Sequence, residues 1–149
     1  MSALGKRNLL GTTTSTTGSP AAVNSAGYSV QTNALTLGPT QTGGLLLGAF
    51  ELLCSFGAAP VAGQVDLYAM DWSLDGNTQP PAPSATLQGR YVGTFSPRPL
   101  TGNTATAFKL ELDGVLLSNK ADYYISNNGT SQQISAGWTL SCAPWAPGS

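Results

Sequence analysis

The chain has 149 residues, of which Ser, Thr and Gly make up 50; six are basic, seven acidic, none is His, and the net charge is −1. Charged residues amount to 9%, against roughly 25% in ordinary soluble domains, while an apolar share of 41% is ample for a core, so the low charge does not signal disorder. Lys6, Arg7, Arg90, Arg98, Lys109 and Lys120 are scattered, which argues against the clustered basic footprint of nucleic-acid binding.

The length fits one domain, and the first 25 residues differ from the rest. Residues 11–20 read GTTTSTTGSP, a hydroxyl-rich run unable to bury enough surface for a core. Residues 1–25 therefore read as an extended N-terminal arm and residues 26–149 as the folded body. Leu4, Leu9 and Leu10 supply apolar anchors, and Lys6 and Arg7 a small positive site. The arm is either a solvated tail or a segment that orders on a neighbour. Residues 1–10 lack the apolar stretch of an export signal. Residues 43–62 carry Glu51 in mid-run and are broken by glycines and Pro60, so a buried strand is expected there, not a membrane span.

Strand signals follow in order. Tyr28, Val30, Leu35 and Leu37 suggest one or two short pieces. Residues 45–56 form a dense apolar run that reads as a central strand, with a short buried helix as the alternative. Residues 64–72 alternate, with Val65, Leu67 and Ala69 on one face and Asp66, Tyr68 and Met70 on the other. Residues 73–77 (SLDGN) make a turn, and the prolines of residues 79–84 (QPPAPS) require a loop. Residues 90–95, 104–112 and 121–126 read as strands, the last closed by Asn127, Asn128 and Gly129. Residues 131–142 show the longest alternation, with Ile134, Ala136, Trp138, Leu140 and Cys142 on one face. Seven or eight short strands with Gly/Pro/Asn turns predict an all-β antiparallel sandwich or jelly roll.

Chemistry is sparse. Without His, a Ser or Cys nucleophile lacks its usual base. Cys54 and Cys142 lie in strand-like runs with nothing beside them to mark a nucleophile, and read as buried free thiols. No metal site and no cofactor are expected. Glu51, Asp66, Asp71, Asp75, Glu111, Asp113 and Asp122 are the carboxylates. A hydrolase needs two of them across a cleft, and Asp66, Asp71 and Asp75 are the first to consider; Asp75 reads as a turn residue and the other two as solvent-facing. Residues 71–77 place Asp, Ser, Asp and Asn at alternate positions like the start of a calcium loop, yet lack the closing Glu and read as a turn. Asn128-Gly129-Thr130 matches a glycosylation acceptor and also reads as a turn. Trp138 belongs in the core by the parity of its neighbours. Trp72, Trp145 and Tyr91 are the aromatics expected to be exposed for contact.

The order of QVDLY (64–68), SLDGN (73–77), YVGTF (91–95), YYISNNGT (123–130) and a last strand ending APW (143–145) resembles the decoration, or cement, proteins that coat tailed-bacteriophage heads. The resemblance covers about residues 45–145. It implies a jelly-roll-like protein bound in many copies to the major capsid protein on the head surface, often as a homotrimer, assembled in the host cytoplasm, with no catalytic role and no nucleic-acid or membrane partner. The arm would lie across neighbouring subunits. The alternative is a carbohydrate-binding module on a tail or fibre.

Overall fold

Alternating apolar side chains bounded by turn residues become strands over most of the residues that the structure describes. The computed structural model describes residues 7–9, 14–15, 21–25, 35–36, 47–60, 62–84, 86–95, 108–116 and 120–147; at 7–9, 14–15, 35–36, 108–116 and 145–147 it describes the backbone alone. These residues hold nine strands: β1 (Arg7–Leu9), β2 (Thr14–Ser15), β3 (Leu35–Thr36), β4 (Leu47–Cys54), β5 (Gln64–Asp71), β6 (Arg90–Phe95), β7 (Phe108–Leu116), β8 (Lys120–Asn128) and β9 (Thr139–Pro147). No helix occurs among the described residues.

One sheet has the order β1-β9-β4-β7, with β2 also on β9; the other has the order β3-β8-β5-β6. Every pairing is antiparallel. Counting β1 and β2 as one strand along β9, the chain can be drawn as a single long hairpin. First then pairs with last, β3 with β8, β4 with β7, and β5 with β6. Rolling that ribbon brings β4 beside β9 and β5 beside β8, the two further pairings observed. This is jelly-roll topology, which covers the interior of both sheets with one folded ribbon. The predicted all-β antiparallel sandwich is the fold of this protein.

The core lies between the sheets. β4 contributes Phe50, Leu52 and Cys54; β5 contributes Val65, Leu67 and Ala69; β8 contributes Ala121, Tyr123 and Ile125; β9 contributes Leu140 and Cys142. Trp138 joins them as its parity predicted. The apolar run at 45–56 is a strand, not a helix, over Leu47–Cys54: every second residue is buried, and the strand lies between β9 and β7. Both thiols are free and buried, and burial pushes each up to about 12.

Three expectations are corrected. The alternation at 131–142 is not one strand. β9 starts at Thr139, and the preceding residues loop, with Ala136 exposed and Gly137 at φ 86°. Ile134 and Trp138 are buried there because they plug the end of the sandwich, where Ile134 bridges both Val23 and Phe56. The strand expected to end at Leu112 runs to Leu116 as β7. Between the pairs Gly48–Val115 and Phe50–Leu112, β7 carries one extra residue, a bulge at Asp113-Gly114. The body also starts before residue 26. Val23 lies in the core, exchanging backbone hydrogen bonds with Ile134 at 3.0 and 2.9 Å. The Ala21 carbonyl accepts the Trp138 indole N–H at 3.0 Å, and Asn127 Nδ2 donates to the Val23 carbonyl at 3.2 Å and the Gln132 carbonyl at 2.7 Å. Arg7 and Leu9 lie in β1 along β9; Leu4, Lys6 and Leu10 fall outside the described residues, as do Tyr28 and Val30.

Gly63 and Gly129, both at positive φ, cross closely where β5 begins and β8 ends. A Cβ on Gly63 would overlap the Gly129 carbonyl and the Thr130 amide. Gly63→Ala should therefore cost at least about 1–3 kcal/mol of strain in urea unfolding, while Gly57→Ala, with open space around it, should stay within about 0.5 kcal/mol. The two thiols should resist Ellman's reagent at pH 8 in the folded protein and react promptly in denaturant; a fast thiol in the native state would contradict their burial.

Candidate binding face

β8 has seven consecutive buried residues, Ala121 to Asn127. Its inward side chains fill the core, so Asp122, Tyr124 and Ser126 occupy the outer face of the β3-β8-β5-β6 sheet. The outer side chains of β5 are Gln64, Asp66, Tyr68 and Met70. The segment after β5 covers one end of this face, and Tyr91 and Asn128 are exposed toward the other.

At the covered end Asp122, fully buried, accepts the Trp72 indole N–H at 2.9 Å and the Gln79 amide at 3.0 Å, one on each oxygen. The Lys120 ammonium sits 3.4 Å from the Trp72 ring centroid and donates to the Gly76 carbonyl at 3.0 Å, a cation–π contact reinforced by a hydrogen bond. Trp72 was expected to be an exposed contact aromatic. It is half-buried, with its indole N–H engaged and one ring face under Lys120, and so acts as a pin for the loop. The turn predicted at 73–77 forms and closes at Thr78: Gly76 N donates to the Ser73 carbonyl at 2.8 Å, and the Asp75 carboxylate takes the Ser73 hydroxyl and the Asn77 amide. Those bonds hold Asp75 below the usual carboxylate range. Leu74 stands at its tip, 97% exposed.

The three carboxylates considered for catalysis do not converge. Asp71 is held by Arg90, which donates from Nε at 2.9 Å and from Nη2 at 3.0 Å. Asp75 belongs to its turn. No group of three or more His, Cys, Asp or Glu side chains able to hold a metal occurs among the described residues.

Asp66 was expected to face solvent and is 3% exposed. Its Oδ1 accepts the Gln64 amide at 2.8 Å and the Thr94 hydroxyl at 2.7 Å, and its Oδ2 accepts the Asn128 amide at 3.1 Å. A bulge beyond this point in β6 puts Tyr91 on the same face. Leu67 pairs with Gly93 and Tyr68 with Tyr91, leaving Val92 as an extra residue. Val92 packs on the core, and Tyr91 stays on the outer face with Thr94, where their hydroxyls meet. Tyr91, predicted to be exposed, is 56% exposed, with its ring edge-on to Tyr68 at 5.8 Å. Trp145 lies in β9, where the backbone alone is described. The glycosylation-like triplet serves the fold: Asn128 donates to Asp66, and the buried Thr130 hydroxyl donates to Asn127. Sequence reasoning missed Gln64, Thr94 and Asn128 as partners of Asp66, because parity along one strand does not say which side chains the neighbouring strands set beside it.

Asp122→Asn keeps the shape but opposes one N–H donor with another. It should cost about 1–3 kcal/mol and speed amide exchange at Ser73, Gly76 and Thr78; unchanged exchange would mean that the loop is held by something else.

Comparison with family models, with curated proteins and with solved structures found no match to this chain.

Proposed function

We propose that this chain is a structural virion protein, a decoration or cement protein that binds and stabilises a phage head shell. The observation that carries the reading is the outer face of the β1-β9-β4-β7 sheet. There β4 presents Leu47, Ala49 and Leu53, all partly or well exposed, beside Thr139, Ser141 and Ala143 of β9, with Glu51 the one charge among these seven. A strip of aliphatic and hydroxyl side chains with a single carboxylate can be covered by a neighbouring protein with little charge to desolvate, and depletion of charge marks the centres of protein interfaces. The jelly roll is a fold of viral capsid proteins, though also of lectins and cupins, so fold alone does not choose among them.

On this reading the major capsid protein is the partner, the protein itself a homotrimer, and the location the head surface. Many copies on one lattice bind through avidity without a deep pocket. Lys6, Arg7, Leu4, Leu9 and Leu10 remain the proposed contacts of the N-terminal segment, now starting from a stretch whose β1 and β2 run along β9. The work is mechanical and not catalytic, in keeping with Asp66, Asp71 and Asp75 each being engaged by its own neighbours.

Quantitative mass spectrometry of purified virions should find this chain at hundreds of copies relative to the major capsid protein; a handful or none would reject the reading. Leu53→Asp, at a position 39% exposed, should leave the melting temperature nearly unchanged and reduce co-sedimentation with shells at least tenfold.

A further inference from the structure

We propose that the end of the β8-β5-β6 face where Tyr91 and Asn128 are exposed is a saccharide-binding site built by Gln64, Asp66, Tyr91, Thr94 and Asn128, independent of the shell-binding reading. One proton sets the polarity of the site. A carboxylate accepts and a threonine hydroxyl has a single hydrogen to give. Thr94 gives it to Asp66 at 2.7 Å. The contact between the Thr94 and Tyr91 hydroxyls must then use the tyrosine proton. Tyr91 Oη is left with only lone pairs to offer a ligand.

The two amides are turned the same way. Gln64 Nε2 and Asn128 Nδ2 point at Asp66, which directs Gln64 Oε1 and Asn128 Oδ1 away from it, with no protein partner among the described residues. One buried carboxylate thus sets three outward acceptors, carried by adjacent strands. Gln64 of β5 pairs directly with Asn128 of β8, and Asp66 with Thr94 of β6. Adjacent strands are about 4.8 Å apart, so the acceptors span on the order of 10 Å, a span suited to a short oligosaccharide. Sugar hydroxyls supply the donors, and the exposed Tyr91 ring supplies an aromatic surface for the apolar C–H side of a pyranose. The edge-on contact with Tyr68 holds that ring at little further entropic cost on binding. The ligand is uncharged on this account: the carboxylate is sealed beneath its three donors, and the groups that meet the ligand are neutral oxygens. The site differs from the one expected at Trp72, whose ring is already taken by Lys120.

The test is a titration of the full chain, followed by amide chemical shifts, with short oligomers of glucose, galactose, mannose and N-acetylglucosamine at millimolar concentration. At least one should give saturable shifts centred on Gln64, Tyr91, Thr94 and Asn128. Tyr91→Ala should weaken that binding at least tenfold, and Tyr91→Phe, which keeps the ring and loses the acceptor, by a smaller factor. Both changes are at an exposed position, and unaltered melting temperatures would separate loss of the site from loss of the fold. Asp66→Asn, which frees the orientation of Gln64, Thr94 and Asn128, should also weaken binding. The proposal is overturned if no oligomer saturates, if the shifts lie elsewhere, if Tyr91→Ala binds as well as the parent, or if only a cationic probe such as glucosamine binds. Because the assay uses the isolated protein, none of these outcomes bears on virion copy number.

Discussion

β8 meets water along almost none of its length, and the molecule is arranged around that constraint. A strand in an antiparallel sheet commonly has one wet face, where a carboxylate costs nothing. Asp122 on β8 is fully buried and so needs donors, because an unsatisfied charge in the interior costs several kcal/mol. They come from Trp72 and Gln79. This draws the segment after β5 back over its own sheet and places the turn at 73–78. Lys120, at the start of the same strand, completes the clasp by covering the Trp72 ring and reaching the Gly76 carbonyl.

At the other end of β8 the same requirement is met from a different direction. Asn127 is also fully buried, on the core side, and its amide bonds to Val23 and Gln132. These bonds tie residues 21–25 and the loop before β9 to the end of the sandwich, where Val23, Phe56, Ile134 and Trp138 close the core. Near this end lies Asp66, whose two oxygens accept from the neutral donors of Gln64, Thr94 and Asn128. The two outer surfaces of the roll therefore differ in kind. The β4 and β9 face is partly aliphatic and carries one carboxylate, Glu51, among the seven residues named. The β8, β5 and β6 face carries a buried charge whose influence reaches the surface through oriented hydroxyl and amide groups.

Much of the fold was legible in the chain. Arg90–Phe95 is a strand with the bounds its pattern suggested, and the Asp-Gly turn after Trp72 has the hydrogen bonds its residue types favour. Val65, Leu67 and Ala69 face inward as their alternation required. The failures share a cause. Parity says which side chains share a face, but not whether that face is covered, and Asp66 was misplaced for that reason. Parity also assumes an unbroken ladder. At Val92 and at Asp113-Gly114 the ladder carries an extra residue, and at 131–138 spaced apolar residues plug an end without forming a strand. Trp72 was assigned to the surface from its place at a strand end, when its indole N–H had a buried partner fifty residues away.

The sequence by itself determined the class of the fold, because period-two burial and turn chemistry are local properties that short segments express wherever they are. It also determined the neutral, hydroxyl-rich character of the surface. Only the tertiary structure decided which strands pair, which face of each sheet is covered, and that Gln64, Asp66, Thr94 and Asn128 meet at one point with Tyr91 beside them. Those residues come from three strands, and the rolling of the ribbon brings together groups up to 64 positions apart. The reason is physical: a buried carboxylate selects its donors by distance in space, and hydrogen bonds of this kind leave no periodic trace along the chain.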